Sequence, residues 1–445
     1  MSNVDLNHPI KNVNIDFSKI TGEIKIMHAV NNGPILANPL GQSKGNSVFY
    51  KAAKIPYARN HDASFYSTYG GEHTVDVNFI FPDFDADPDD PASYDFIMTD
   101  KYIADTLSVG TRIFYRLGSK IEHGIKKYNT VMPKDFDKWA VICEHIIRHY
   151  NEGWANGFEY NIEYWEIWNE ADLSDDGVTN STWSGTPEDY YRLYKTAATH
   201  LKKCFPNLKI GGPALAYRHD DWVEGFFNSI TAGERVPMDF FSWHRYGNQP
   251  EQLTDDAEYY RTMLDKYGYT ETESILNEWN YINSWTVGFV DSIEVIVGIK
   301  GAAFTAASMS ALQKSPTDML MYYDARPCAF NGMFDFFSMM PLKGYYPFLM
   351  FSKLYDLKNE AESSTDDEKL YVTAATDKNG KCAAMITYYT DDDGELPKLV
   401  KINSDKNFTC RLVDRYFMFT EVPFDNETKT MKVFANSVIY IESTE

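Results

Sequence analysis

The chain has 445 residues, more than one compact core usually contains, so a large domain joined to a smaller one is the first expectation. Its formal net charge of −22 excludes a strongly basic surface, and we therefore expect neither nucleic acid nor a membrane as a partner. Five widely spaced cysteines without a Cys-x-x-Cys pair indicate free thiols, no metal site and a reducing compartment.

The first predicted elements along the chain are strands. Short apolar or β-branched runs alternate with longer amphipathic segments, a rhythm that predicts a parallel sheet wrapped in helices. Eight runs are counted, the number that closes a (β/α)8 barrel of the TIM type. The runs lie at or near 22–30, 53–62, 110–118, 162–170, 208–215, 238–247, 274–280 and 318–325.

The segments between these runs have helix and loop signals. A helix is predicted to begin with Pro133 and the acidic residues after it, and another with Thr186 as N-cap and Pro187 at its first position. The polar, Asp- and Pro-rich segment 63–100 predicts an extended loop over the barrel mouth. The apolar stretch 294–313 carries polar residues and two glycines, which favours a buried barrel helix over a membrane span.

The pattern changes after about residue 356. An acidic connection is followed by runs that alternate in period two between Asn-Gly and Asp-Gly turns, which predicts a small antiparallel β-sandwich. The strand-like run 12–17 is expected to join it. We therefore predict a catalytic barrel over 20–355 and an accessory sandwich formed by 1–19 and 356–445.

Two glutamates are placed where a barrel presents catalytic groups. Glu170 ends the run YWEIWNE and Glu278 lies near the end of SILNEWN, so both are expected at the carboxyl ends of strands, numbers four and seven of the barrel. A carboxylate there is costly to desolvate unless it is paired or used. Two carboxyl groups about 5–5.5 Å apart are what retaining hydrolysis of a glycosidic bond requires. The alternative for each one alone is a structural glutamate.

Several neighbours are candidates for binding a sugar or for orienting these carboxylates. Asn169 offers an amide to a sugar hydroxyl, and Tyr246 or His244 on the sixth strand can hold Glu278 ionised. Structural roles, such as a buried ion pair, remain the alternative for all of them. The other candidate pocket residues are Arg59, His61, Asp62, His28, Trp279, Tyr323 and Asp324.

These motifs resemble those of a known family. WEIWNEAD together with ILNEWN is similar to clan A of the glycoside hydrolases, and MHAVNNGP, RNHD and SWHRYG narrow the resemblance to family 39, which contains β-xylosidases and α-L-iduronidases. The resemblance implies a retaining double displacement without a cofactor. It assigns the acid/base role to Glu170 and the nucleophile role to Glu278.

The expected activity is exo-acting release of a terminal sugar, with a β-D-xyloside as the best single guess. The alternatives within glycosidases are an α-L-arabinosidase, a β-galactosidase or an α-L-iduronidase-like enzyme, the last needing a cation such as Arg326 or Arg218 for the uronate. The alternative of another class is a carbohydrate-binding barrel without catalysis. The expected partner is a glycoside, the sequence leaves room for a homo-oligomer, and the start of the chain lacks a secretory signal, so a cytoplasmic location is expected.

Overall fold

The computed structural model describes residues 9–37, 44–61, 73–173 and 181–444. Eight parallel strands close into a barrel, and a nine-stranded sheet lies beside it. The predicted fold class, a (β/α)8 barrel with a smaller β-sandwich, is confirmed. The barrel strands are β2 (Ile26–Asn31), β3 (Tyr57–Asn60), β4 (Arg112–Leu117), β5 (Tyr164–Ile167), β6 (Lys209–Leu215), β7 (Phe240–Gly247), β8 (Glu273–Tyr281) and β9 (Met319–Tyr322).

Helices cover the outside of the barrel. Thr186 caps its helix as predicted, in a capping box with Asp189, whereas the helix predicted from Pro133 begins three residues later because Asp135 is its N-cap. The helices are α1 (Ser47–Ala52), α2 (Val77–Ile80), α3 (Ile97–Leu107), α4 (Phe136–Asn151), α5 (Pro187–Cys204), α6 (Asp220–Thr231), α7 (Pro250–Lys266), α8 (Phe289–Val297), α9 (Ile299–Gln313) and α10 (Tyr345–Leu357).

The segment predicted as one extended loop, 63–100, is partly helical where the structure describes it. Residues 62–72 lie outside the described part. After them, α2 is tied to the end of β4 by a hydrogen bond from the Val77 amide to the Gly118 carbonyl (2.9 Å), and α3 already begins at Ile97. The correction follows from short apolar runs within this polar segment, which bury Val77 and Ile80.

The barrel interior is layered from its amino-terminal end to its mouth. Alternate strand residues point inward, and the lowest layer is an apolar cluster that includes Phe114, Tyr164 and Phe240. The next layer is polar and contains the fully buried Arg59 and Glu166. The apolar layer fills the bottom of the barrel, and the polar layer above it lies closer to the mouth.

The second sheet forms the sandwich. Its strands are β1 (Ile10–Glu23), β10 (Asn359–Thr365), β11 (Leu370–Thr376), β12 (Cys382–Tyr388), β13 (Lys398–Asn403), β14 (Phe408–Val413), β15 (Met418–Val422), β16 (Thr430–Val433) and β17 (Ser437–Ser443). Their order is β15-β14-β17-β12-β11-β10-β1-β13-β16, and every pairing is antiparallel except β1 with β13. Phe17 of β1 and Phe408 of β14 lie 6.1 Å apart between ring centroids across one shared core, although four strands lie between β1 and β14 in that order.

Strand β1 places the start of the described chain in the second sheet, where the run 12–17 was expected to lie. It extends to Glu23, four residues past the predicted boundary. The division at residues 20 and 356 otherwise stays a prediction.

The apolar stretch 294–313 forms the end of α8 and all of α9. Helix α9 is buried almost throughout and packs against both barrel strand β8 and sandwich strand β11. Among the described residues, no single helix is long and apolar enough to cross a membrane. Taken together, α8 and α9 have the length and composition of a membrane span, but the pair is bent by 79°.

Candidate active site

A cavity of about 880 Å³ opens at the carboxyl ends of the barrel strands. This volume is that of a small-ligand site, and the position is where TIM barrels carry their chemistry. Six of the residues predicted from the sequence line it: His61, Asn169, Glu170, Tyr246, Glu278 and Tyr323.

Glu278 reaches this cavity through a β-bulge in β8. Leu276 pairs with Trp243 of β7 and Glu278 pairs with His244, so Asn277 has no residue opposite it. A bulge re-aims the side chains that follow it. Asn277 and Glu278 consequently both point into the barrel, and Asn277 donates a hydrogen bond to Glu166 there (2.5 Å).

The Glu278 carboxylate is buried and held by several donors. Tyr246 donates its hydroxyl to Oε1 (2.6 Å), and Arg59 Nη1 donates to Oε2 (3.2 Å). His61 Nε2 and His244 Nδ1 lie 3.6 and 3.7 Å from Oε2. Burial and the neighbouring Glu170 raise the pKa of Glu278 from 4.5 to about 7, while Arg59 and the hydrogen bond from the Tyr246 hydroxyl lower it.

Glu170 sits on a strained turn just after β5. Trp168 and Glu170 have φ values of 72° and 49°, in the left-handed region that side chains rarely occupy, and they flank Asn169. The Glu170 amide donates to the Ala214 carbonyl (2.8 Å), and Thr182 donates its hydroxyl to the Glu170 carbonyl. These bonds fix a conformation that turns the Glu170 side chain into the cavity.

His244 lies between the two carboxyl groups. Its Nδ1 is 2.7 Å from Glu170 Oε1, and a ligand atom of each of the three side chains lies within 4.8 Å of the others. Burial lowers the pKa of His244 to about 4. The imidazole is therefore neutral at neutral pH. Depending on its tautomer it can donate a hydrogen bond to Glu170 or accept one from it, and it adds no charge beside the carboxyl group.

Arg59 connects the strands that carry the two glutamates. Its fully buried guanidinium donates to Glu166 from Nε (2.8 Å), to Asn31 (3.2 Å) and Glu278 (3.2 Å) from Nη1, and to Asn169 from Nη2 (2.6 Å). Because the Asn169 oxygen accepts from Arg59, its NH2 group is the part of the amide that can face a ligand.

The remaining predicted pocket residues divide between lining and support. His61 accepts a hydrogen bond at Nδ1 from Arg116 (3.3 Å), which leaves its Nε2–H directed toward Glu278. The ring of Tyr323 packs 6.1 Å from that of His61. Asp324 is buried behind the cavity, where it accepts from Asn32 (2.7 Å), and burial raises its pKa to about 7.

Two sequence predictions for the pocket are wrong. His28 points outward from β2 and packs against Phe351 and Tyr355 of α10, where burial lowers its pKa to about 3. Trp279, next to Glu278, also faces outward and packs on Phe304 of α9. Both errors arise because neighbouring residues on a strand face opposite sides. Asp62 lies outside the described residues.

Sequence reasoning missed an aromatic wall of the cavity formed by Trp285, Phe289 and Phe330. Trp285 is 57% exposed, and its ring lies 5.1 Å from that of Tyr246 and 6.1 Å from that of Phe330. An exposed aromatic ring at the rim of a cavity is an apolar surface on which a flat ligand can stack. Trp285 and Phe330 lie in the connections after β8 and β9, and Phe289 is the first residue of α8, so no shared periodicity marks the three.

The sequence also failed to identify the arginine that lines the cavity and the carboxylate that lies buried beneath it. The arginine among the described residues that line the cavity is Arg245, whereas Arg326 and Arg218 were the ones expected. Its guanidinium lies 3.5 Å from the Asp256 carboxylate. Glu166 is wholly buried and pairs with Arg59 at 2.7 Å. A charged residue within the apolar run YWEIW was the available signal for Glu166.

The site offers ligands that a metal ion can use. Glu170, His244 and Glu278 form one of two groups of such side chains among the described residues. However, Arg59 donates to Glu278 Oε2 (3.2 Å), the oxygen that lies 3.7 Å from His244 Nδ1, so a cation here would share this oxygen with the guanidinium.

Comparison with known proteins shows which family the chain resembles. The model of the glycosyl hydrolases family 39 matches residues 73–281, which span both glutamates. The match covers just under half of the chain and, together with the relatives below, supports the chain's assignment to this family. The chain is an O-glycosyl hydrolase, and its substrate is a glycoside.

Relatives and solved structures give the extent of the similarity. The hydrolase is 23% identical over 369 residues to a β-xylosidase of Geobacillus stearothermophilus, covering 76% of this chain and 70% of that protein. It is 33% identical over 162 residues to a β-xylosidase of Caldicellulosiruptor saccharolyticus, 35% of this chain and 31% of that one. The structure of a glucosidase from Croceicoccus marinus matches with a TM-score of 0.77 at 23% identity, covering 98% of this chain and 99% of that chain, which supports the fold.

Proposed function

We propose that the enzyme hydrolyses terminal β-D-xylosides with retention of anomeric configuration, through a covalent glycosyl-enzyme intermediate. The observation that carries the proposal is the short separation of the two carboxyl groups, whose nearest oxygens lie within 4.8 Å. Retaining enzymes have carboxyl groups about 5–5.5 Å apart, whereas inverting enzymes need about 6.5–9.5 Å to admit a water.

In the first step, Glu278 attacks the anomeric carbon while Glu170 gives its proton to the glycosidic oxygen. The bond between that carbon and oxygen breaks, the aglycone leaves with the proton, and the sugar becomes an ester of Glu278. Arg59 and Tyr246 favour this step because their hydrogen bonds stabilise the ionised Glu278.

In the second step, Glu170 acts as a base. It removes a proton from a water that attacks the anomeric carbon, and Glu278 is released as a carboxylate. His244 supports both states of Glu170, since its neutral Nδ1 can accept from the acid or, as Nδ1–H, donate to the carboxylate.

The choice of a xyloside is supported by the names of the relatives, two of which are β-xylosidases. A uronide is disfavoured by the charges at the cavity. The nearby Asp256 partly neutralises Arg245, and the cavity otherwise presents the carboxylates Glu170 and Glu278 to a substrate carboxylate.

The stereochemical outcome tests the mechanism. The anomer of the product formed first from a β-xyloside is followed by proton NMR before mutarotation. We expect the β-anomer of xylose, and first release of the α-anomer would refute retention.

Variants test the two roles separately. Glu278→Ala should lose activity by at least about 10⁴-fold, and azide should restore turnover as the α-glycosyl azide. Glu170→Ala should still release a good leaving group such as dinitrophenol, with azide giving the β-glycosyl azide. Glu258→Ala, an exposed glutamate on α7, is the matched control and should keep full activity.

A panel of aryl glycosides tests the substrate. It should contain β-xyloside, β-glucoside, β-galactoside, α-L-arabinoside and α-L-iduronide, and kcat/KM is expected to be highest for the β-xyloside. Binding of xylose measured by calorimetry, with no cleavage of any of these compounds, would instead favour a carbohydrate-binding barrel without catalysis.

A further inference from the structure

A second group of metal-ligating side chains lies on the helical layer outside the barrel. It consists of Glu144 on α4 and of His200 and Cys204 on α5. His200 and Cys204 are four residues apart, so one face of α5 presents both. None of the three is among the described residues that line the active-site cavity.

The donor atoms converge from two packed helices. His200 Nε2 is 2.7 Å from Glu144 Oε2 and 3.8 Å from Cys204 Sγ, and all three atoms lie within 4.8 Å of one another. Bonds of about 2.0–2.3 Å to a tetrahedral ion place its ligands about 3–4 Å apart. Small rotations of Glu144 and Cys204 would therefore bring the atoms to coordination distance without movement of either helix.

The residues around Glu144 orient its carboxylate and leave the three donor atoms accessible from solvent. Arg148 donates to Glu144 Oε1 from Nε and lies 2.7 Å from it through Nη2, so Oε2 stays directed toward His200. Such bonds to a ligand from an outer residue fix its geometry in metal sites. His200 keeps 31% of its side-chain surface exposed, which provides an entry path and room for a water ligand.

We propose that Glu144, His200 and Cys204 bind one Zn²⁺ or a similar borderline-soft divalent cation, with water as the fourth ligand. A nitrogen, an oxygen and a sulfur donor suit zinc, whereas Mg²⁺ and Ca²⁺ prefer oxygen donors alone. The ion would join α4 to α5 in the outer layer of the barrel.

Binding requires the thiolate form of Cys204. The ion therefore displaces the proton of the thiol when it binds. The net charge of −22 favours the approach of a cation.

Cobalt titration of the chelator-treated full chain tests the proposal, because Co²⁺ reports its ligands by absorption. We expect saturation at one ion per chain, visible bands of a tetrahedral site and a near-ultraviolet thiolate-to-cobalt band, all displaced by Zn²⁺. Cys204→Ser should lose the thiolate band, and His200→Ala should weaken Co²⁺ binding at least ten-fold. Cys328→Ser and His219→Ala are controls and should keep the bands of the parent chain.

Three results would overturn the proposal: no saturable binding, a thiolate band that survives in Cys204→Ser, or bands lost equally in the control variants. Cobalt bound at the active site instead would lack the thiolate band and would inhibit hydrolysis. Hydrolysis by each variant shows whether it is folded. If Cys204→Ser fails this check, Glu144→Gln replaces it, and unchanged affinity in Glu144→Gln would equally refute the site.

Discussion

The proposed nucleophile is expected to destabilise the fold at neutral pH, and Glu278→Gln tests this. In the unfolded chain the Glu278 carboxyl has its ordinary pKa of 4.5, whereas burial raises the pKa to about 7 in the folded enzyme. Between these values the folded state binds more protons than the unfolded state. The free energy of unfolding therefore falls as pH rises through this window.

The magnitude follows from the two pKa values. The rise from 4.5 to about 7 corresponds to about 3 kcal/mol, since each unit of pKa is worth about 1.4 kcal/mol. Glutamine keeps the shape but does not titrate, so Glu278→Gln lacks this loss. We expect its stability relative to the parent chain to increase by about 3 kcal/mol between pH 4.5 and pH 8.

Urea unfolding followed by tryptophan fluorescence measures this quantity. All nine tryptophans lie between Trp139 and Trp285, so the signal reports the barrel and not the sandwich. Comparing the two chains at each pH removes any constant effect of the amide. Glu258→Gln on the exposed face of α7 is the control and should show no such trend. A stability difference that does not change with pH, or that falls as pH rises, would refute the reasoning.

Three further predictions concern the walls of the site. Tyr246→Phe removes a hydrogen bond to ionised Glu278, so the acid limb of kcat/KM should move to higher pH by about one unit, and an unmoved limb in the pH profile would contradict this role. Trp285→Ala should raise KM for aryl glycosides roughly five-fold with kcat nearly unchanged, which steady-state kinetics can check. Asp391 of the sandwich accepts hydrogen bonds from Tyr281 (2.6 Å) and Asn248 (2.8 Å) beside the barrel mouth. Asp391→Ala should therefore lower the free energy of unfolding by about 2 kcal/mol in urea titrations, and an unchanged value would refute the role of this contact.

Periodicity was sufficient to predict the fold. Each of the eight barrel strands falls within or overlaps a predicted apolar run, because strands buried on both faces must be continuously apolar. The order of strands then follows from closure of a parallel barrel. Helix starts were predictable where a capping signal was complete, as at Thr186, and misplaced where an earlier proline resembled a start, as at Pro133.

The site was predictable only at the ends of strands. Glu170 and Glu278 were placed at the mouth because a strand delivers its last residues there, but the direction of each neighbouring side chain depends on register. The bulge at Asn277 is not visible in the pattern of the run SILNEWN, and it decides that Glu278 faces the cavity while Trp279 faces α9. The aromatic wall comes from connections distant in sequence, whose meeting depends on the closed barrel.

Arg59 links the two buried carboxylates of the barrel, Glu166 and Glu278. Its guanidinium donates hydrogen bonds to Glu166, Asn169, Glu278 and Asn31, which come from three other segments of the barrel wall. Glu166 supplies a full counter-charge at 2.7 Å, and Arg59 can then hold Glu278 through a single longer contact of 3.2 Å. If Arg59 faced Glu278 alone, a close ion pair would lower the pKa of Glu278 further and make it a weaker nucleophile. Sharing the guanidinium between two carboxylates thus orients Glu278 while leaving it basic enough to attack.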